Sequence, residues 1–171
     1  MRLISSVLRT VILLGVVAGL ASVVGALVAR GRLWSRGSAL DDEVDLVAIF
    51  DAANLASTSS AFRRATVTAW YGGGTLDLRG ATIDPGGARI TIRAIFGGYR
   101  LLVPPTWRVD LETIAFFGGV GDVRDESLVD PSGPLLTIDG IAVFGGIGIM
   151  SAAPDLDEEP ATLDLEGVAT A

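Results

Sequence analysis

Versions of the stretch Arg93-Ala94-Ile95-Phe96-Gly97-Gly98 occur at five places, and that recurrence restricts the possible folds more than any other feature. Aligning the aromatic residues pairs Ala48 with Phe50, Ala69 with Tyr71, Ala94 with Phe96, Ala115 with Phe117 and Ala142 with Phe144. Two glycines follow the aromatic residue in every unit but the first, at Gly72-Gly73, Gly97-Gly98, Gly118-Gly119 and Gly145-Gly146. The aromatic residues stand 21, 25, 21 and 27 residues apart, the spacing of a repeat protein. Within each unit apolar residues alternate towards the aromatic one, as in Ile90, Ile92, Ala94, Phe96 and in Val44, Leu46, Ala48, Phe50. A period of two is that of a strand with one buried face. A second short strand follows the glycines, for example Tyr99, Leu101, Val103, and turn residues such as Asp84-Pro85-Gly86-Gly87 close the unit.

Two architectures accommodate this pattern. Gly-Gly between alternating strands is a hairpin signal, which would give a meander or sandwich of hairpins. In a β-solenoid, Gly-Gly instead turns a corner and each unit forms one coil. The alanines favour the solenoid: equivalent positions then stack about 4.8 Å apart, and one slot must keep one size in every coil. The expected fold is all-β, a short single-domain β-solenoid (β-helix-like) of about five coils over residues 44–150. The glycines are expected at tight corners with positive φ. The first unit has Asp51-Ala52 in place of the glycine pair, followed by polar Asn54, Ser57, Thr58, Ser59 and Ser60, so residues 44–62 read as an end cap. An uncapped last coil would expose a strand edge. Pro154 and the acidic tail, residues 151–171, are expected to cover it, in a segment whose composition otherwise favours disorder.

Ahead of the repeats, Thr10 to Ala29 is 20 residues without a charge, flanked by Arg2 and Arg9 on one side and Arg30, Arg32 and Arg36 on the other. As a helix it would be roughly 30 Å long, the thickness of a hydrocarbon core. Residues 10–30 therefore read as one transmembrane helix after a short segment 1–9, with residues 31–43 as a linker. A cleaved signal peptide is the rival reading, helped by Ala26 and Ala29, but the apolar run is too long for an h-region and an Arg cluster stops it. Gly15 and Gly19 form a GxxxG spacing through which two helices can pack. Three Arg after the helix against two Arg and the amino terminus before it lean towards a cytoplasmic C-terminal domain.

Charge and composition narrow the chemistry. The net charge is -7, yet residues 1–40 hold five Arg and no acid. The remainder is strongly acidic, which argues against nucleic acid as a partner. The chain has no Cys, His or Lys, hence no disulfide framework, thiolate site, imidazole base or Schiff-base amine. The run Gly118-Gly119-Val120-Gly121 lacks the third glycine of a dinucleotide fingerprint, Arg124 standing in its place, and no Gly-Lys-Ser/Thr exists. Asp122, Asp125, Glu126 and Asp130 cluster without EF-hand spacing and read as a solvated loop rather than a Ca²⁺ site. Asp122 falls where other units carry Leu76, Leu101 and Ile149, which marks a bulge, a cap or an inward carboxylate paired with Arg. Trp70 lies on the outward face of its strand, to be covered by a loop or to serve as an interaction surface, and Trp107, behind two prolines, is expected to anchor a turn. No catalytic, cofactor-binding or metal residues are expected, and no cofactor.

The blocks Tyr71-Gly72-Gly73-Gly74-Thr75-Leu76-Asp77-Leu78-Arg79, Ile95-Phe96-Gly97-Gly98-Tyr99-Arg100, Val103-Pro104-Pro105-Thr106-Trp107-Arg108-Val109 and Phe117-Gly118-Gly119-Val120 resemble, in that order, the C-terminal domain of LiaF-type cell-wall-active-antibiotic response proteins. The resemblance covers about residues 44–150. It implies a bacterial membrane protein that restrains a sensor histidine kinase during envelope stress. Bactofilins, polymerising β-solenoids with membrane-facing N-termini, are more distantly similar. The expected function is a membrane-anchored, non-enzymatic regulatory or scaffold module contacting the lipid bilayer and a membrane sensor kinase or another membrane protein. The alternatives are a self-associating structural polymer and a carboxylate-dependent binder of envelope glycans.

Overall fold

The computed structural model describes residues 2–151. One helix, α1 (Arg2–Arg30), precedes ten strands. These are β1 (Glu43–Ile49), β2 (Ala52–Ala56), β3 (Arg64–Trp70), β4 (Gly73–Asp77), β5 (Ala88–Ile95), β6 (Gly98–Leu102), β7 (Arg108–Phe116), β8 (Gly119–Asp122), β9 (Leu135–Val143) and β10 (Gly146–Met150). Each repeat unit supplies one strand to each of two five-stranded sheets, ordered β1-β3-β5-β9-β7 and β2-β4-β6-β10-β8. Pairing between these strands is parallel throughout. A meander of hairpins needs antiparallel neighbours, so that alternative fails. The chain is thus mostly β, two parallel sheets behind one apolar N-terminal helix, an arrangement compatible with a solenoid-like fold.

Register brings equivalent residues together. Ala48, Ala69, Ala94, Ala142 and Ala115 form one column. On the same face, further back along the strands, Val44, Ala65, Ile90, Ile138 and Leu111 form another. In the second sheet Leu55, Leu76, Leu101, Ile149 and Asp122 are in register. The core fills the space between the sheets, with Phe62, Leu78, Val103 and Trp107 closing its side. Trp107 is buried behind the prolines, as expected of a turn anchor, and its N–H donates to Pro104 O at 3.3 Å.

The units do not stack in chain order. In both sheets the fifth unit lies between the third and the fourth, so the fourth (β7, β8) is terminal. Asp122 supplies a physical reason: it occupies the inward slot that Leu76, Leu101 and Ile149 fill elsewhere. An inward carboxylate is costly between two covered strands and tolerable where one side meets water. Unit five, with Ile149, takes the interior place. The expectation that the last unit carries the open edge is therefore corrected. Its proposed cover, Pro154 and the acidic tail, lies outside the described residues.

The opposite end is closed by residues of the linker. Arg36 and Asp45 exchange backbone hydrogen bonds of 2.7 and 2.9 Å, and Ser35 Oγ accepts from Val47 N at 2.9 Å. Ser57 and Ser59, read from sequence as polar positions of a solvent-facing cap, are buried. They hold the linker down: Ser57 Oγ donates to Ala39 O at 3.3 Å, and Ser59 Oγ donates to Asp42 Oδ1 at 2.7 Å.

Candidate interaction surfaces

The corner after each strand of the first sheet is built differently from the expectation. Positive φ falls on the aromatic residues, Phe50, Tyr71, Phe96, Phe117 and Phe144, all at 52–53°. The glycines behind them are required by crowding: a Cβ on Gly97 would run into the carbonyl of Gly72, and one on Gly145 into the carbonyl of Gly97. A bulky residue in the left-handed region is strained by about 1–2 kcal/mol. Stacking offsets that strain, since adjacent rings are 4.8–5.1 Å apart and within 6° of parallel. Ring contacts of this type contribute about 0.5–1.5 kcal/mol each. The five rings form one ladder at the strand spacing. Its outer side is open, from Phe50 at 36% exposed to Phe117 at 80%.

Helix α1 joins the molecule at the first end of this ladder. Trp70 Nε1 donates to Ser22 Oγ at 3.2 Å, and a Cβ on Gly25 would stand 3.1 Å from the Trp70 ring. Ala26 is fully buried, and Arg30 Nη2 lies 3.8 Å from Asp51 Oδ2. Trp70 is thus covered by the helix, neither by a loop nor left as an open surface. Small residues at Ser22, Gly25 and Ala26 make the approach possible. Gly15 and Gly19 have nothing within 4 Å of an added Cβ.

At the terminal unit, Asp122 pairs with Arg124 through bonds of 2.7 Å to Nη2 and 2.9 Å to Nε. The Arg124 side chain is only 4% exposed, and its Nη1 donates to Trp107 O at 2.9 Å. Burial pushes the Asp122 carboxyl up, but the hydrogen bonds from Arg124 outweigh it and hold the group below the usual carboxylate range. The same Asp-x-Arg spacing recurs at Asp77 and Arg79, one register position later and facing outwards. The remaining acids of the loop are engaged locally. Asp125 accepts from Ser127 N and Oγ, and Asp130 accepts from Ser132 N and Oγ, which lowers both carboxyls. Among the described residues no group of three His, Cys, Asp or Glu is placed to hold a metal ion.

A third surface is a shallow groove of about 650 Å³ on the outside of the second sheet, floored by Gly73, Gly98 and Gly146 and edged by Asn54, Thr75 and Arg100. It is shallow because the outward positions Gly73, Gly98 and Gly146 share one register column without side chains, while Tyr99 is buried on the inner side. Sequence reasoning set Tyr99 in one row with Leu101 and Val103 but missed this groove and the reach of the Tyr99 hydroxyl to the first unit; Gly74, in register with Tyr99, was the available signal.

Compared with models of known families, with curated proteins and with solved structures, the chain matches none. Helix α1 is the one described element long and apolar enough to cross a membrane, over Val7–Arg30 at mean hydropathy 2.7.

Proposed function

We propose that this protein is a membrane-anchored, non-enzymatic regulatory or scaffold module: a β-solenoid of five coils, tethered by α1, that acts by protein contact. The observation that carries the reading is the contrast between the two ends of the stack. Linker and helix close the first end, while β7 and β8 form the outer strands at the other with Leu111, Ile114, Phe116 and Phe117 exposed. Open strands flanked by apolar side chains are a template for another chain. The LiaF-type resemblance supplies the class of partner, a membrane sensor kinase, and the Arg count on either side of α1 favours the cytoplasmic side for the domain. Photo-cross-linking in membranes from position 114 tests this. Capture of one membrane protein, lost on Phe117→Asp, supports it; products with this chain alone sink it.

A second reading is favoured by the same open edge. Two copies meeting through β7 and β8 would continue both sheets and give end-to-end assemblies. Negative-stain microscopy of the full chain distinguishes it, because filaments would put the polymer first. The glycan-binding alternative has less support, since the Asp122 carboxylate it relies on is occupied by Arg124.

A further inference from the structure

The aromatic ladder has an open outer side, and its position relative to α1 says what meets it. Thr10 to Ala29 is the uncharged run of the helix, and Trp70 is hydrogen-bonded to Ser22 inside that run. At about 1.5 Å per residue, Ser22 stands roughly 12 Å along the axis from Arg30. A helix that crosses a bilayer with Arg30 among the headgroups, a layer about 5–8 Å thick on each side, then holds the Trp70 ring, which rests on Gly25 and Ser22, across the boundary between headgroups and acyl chains, where Trp is favoured. Trp70 does not stand alone there. Ile95, Val143 and Phe116 continue its register column away from the helix, and the ring ladder runs alongside. In the next column outward, Ile141 and Ile114 are exposed.

From this juxtaposition we infer that the aromatic corner lies along the bilayer surface, with Phe96, Phe144 and their neighbours Ile95 and Val143 seated in the lipid interface. The inference rests on the reading of α1 as a membrane anchor. Lipid is the occupant because the corner is continuous with a helix whose own apolar surface is open, and because the charges beside it suit headgroups. Arg30, Arg32 and Arg36 follow the helix, and Arg93 projects beside Ile95. Apolar rings at the boundary with basic side chains at its rim match an interfacial surface. The same placement turns the open edge of β7 and β8 sideways along the membrane, towards a neighbouring membrane protein.

The chain contains no cysteine, so single-cysteine variants can be spin-labelled without background. The full chain in phosphatidylcholine–phosphatidylglycerol vesicles is labelled at Phe144→Cys, Ile141→Cys, Arg100→Cys or Leu14→Cys. Collisions with oxygen and with a water-soluble nickel chelate are then compared. Labels at positions 144, 141 and 14 should favour oxygen several-fold over the label at position 100 on the opposite sheet. If position 14 is lipid-exposed while 144 and 141 are as open to nickel as 100, the corner is not in lipid and the inference falls, with the anchor intact. If position 14 is also open to nickel, the anchor reading fails and takes the inference with it. Dipolar broadening at 144 that disappears on dilution with unlabelled chain would assign the corner to a second copy and overturn the lipid assignment. Position 141, outside the ring ladder, keeps the test decisive if Phe144→Cys disturbs the stack.

Discussion

The Tyr99 hydroxyl donates to the carbonyl oxygen of Ala53 at 2.6 Å, from the third unit to the first across the second. It can do so because Gly74 stands between them: a Cβ there would meet both the Ala53 carbonyl and the Tyr99 ring. One buried side chain thus ties three units together.

Removing that hydroxyl leaves the Ala53 carbonyl without its partner. Tyr99→Phe should lower stability by about 1–3 kcal/mol, measured by denaturant unfolding. An unchanged midpoint would show that water or a shifted strand replaces the bond. Burial raises the phenol's pKa above its ordinary value. The folded state then holds this proton more tightly than the unfolded chain. The associated stability is complete below the unfolded pKa of about 10 and is lost as pH rises beyond it. Tyr99→Phe should flatten that alkaline loss.

Ala94 sits in the middle of the alanine column and is fully buried, whereas Ala115 in the same column lies on the terminal strand and is half-buried. Ala94→Leu should destabilise by about 1–3 kcal/mol through overpacking. Ala115→Leu should be tolerated better, since one side of its slot is open. Equal losses in thermal melts would mean that the two alanines are not in the environments described.

The glycines of the corners should also separate, by what stands over each. Gly97→Ala places a Cβ against the Gly72 carbonyl, while Gly119→Ala meets nothing within 4 Å. Gly97→Ala should reduce the soluble folded yield or the melting temperature sharply, and Gly119→Ala should leave both near wild type. A mild Gly97→Ala would show that neighbouring corners can part without loss.

Asp122→Asn removes the charge of the pair with Arg124 and leaves the enclosed guanidinium facing a neutral amide, whose single oxygen replaces two carboxylate acceptors. The expected loss is about 1.5–3 kcal/mol. Because the Asp122 carboxyl is lowered in the folded state, its contribution is present above the unfolded value of about 3.9 and disappears as pH falls further. Wild type and Asp122→Asn should therefore converge in melting temperature on acidification. A gap that persists at low pH would assign the effect to packing.

Much of this architecture was legible in the chain. A column of parallel strands repeats one environment at every step, so a slot for a methyl group demands alanine each time and a ring ladder demands five rings. Ala48 to Ala142 and Phe50 to Phe144 wrote that demand into the sequence, and a continuous uncharged run did the same for the helix. What the strand pattern left undetermined was which unit lies beside which. The interior place of unit five, the positive φ at rings instead of glycines, the reach of Tyr99 to Ala53 and the seat of Trp70 on Ser22 all arise from contacts between distant residues. Alternation reports which way a side chain faces and carries no record of its neighbour. The neighbour is chosen when the whole stack closes over its core.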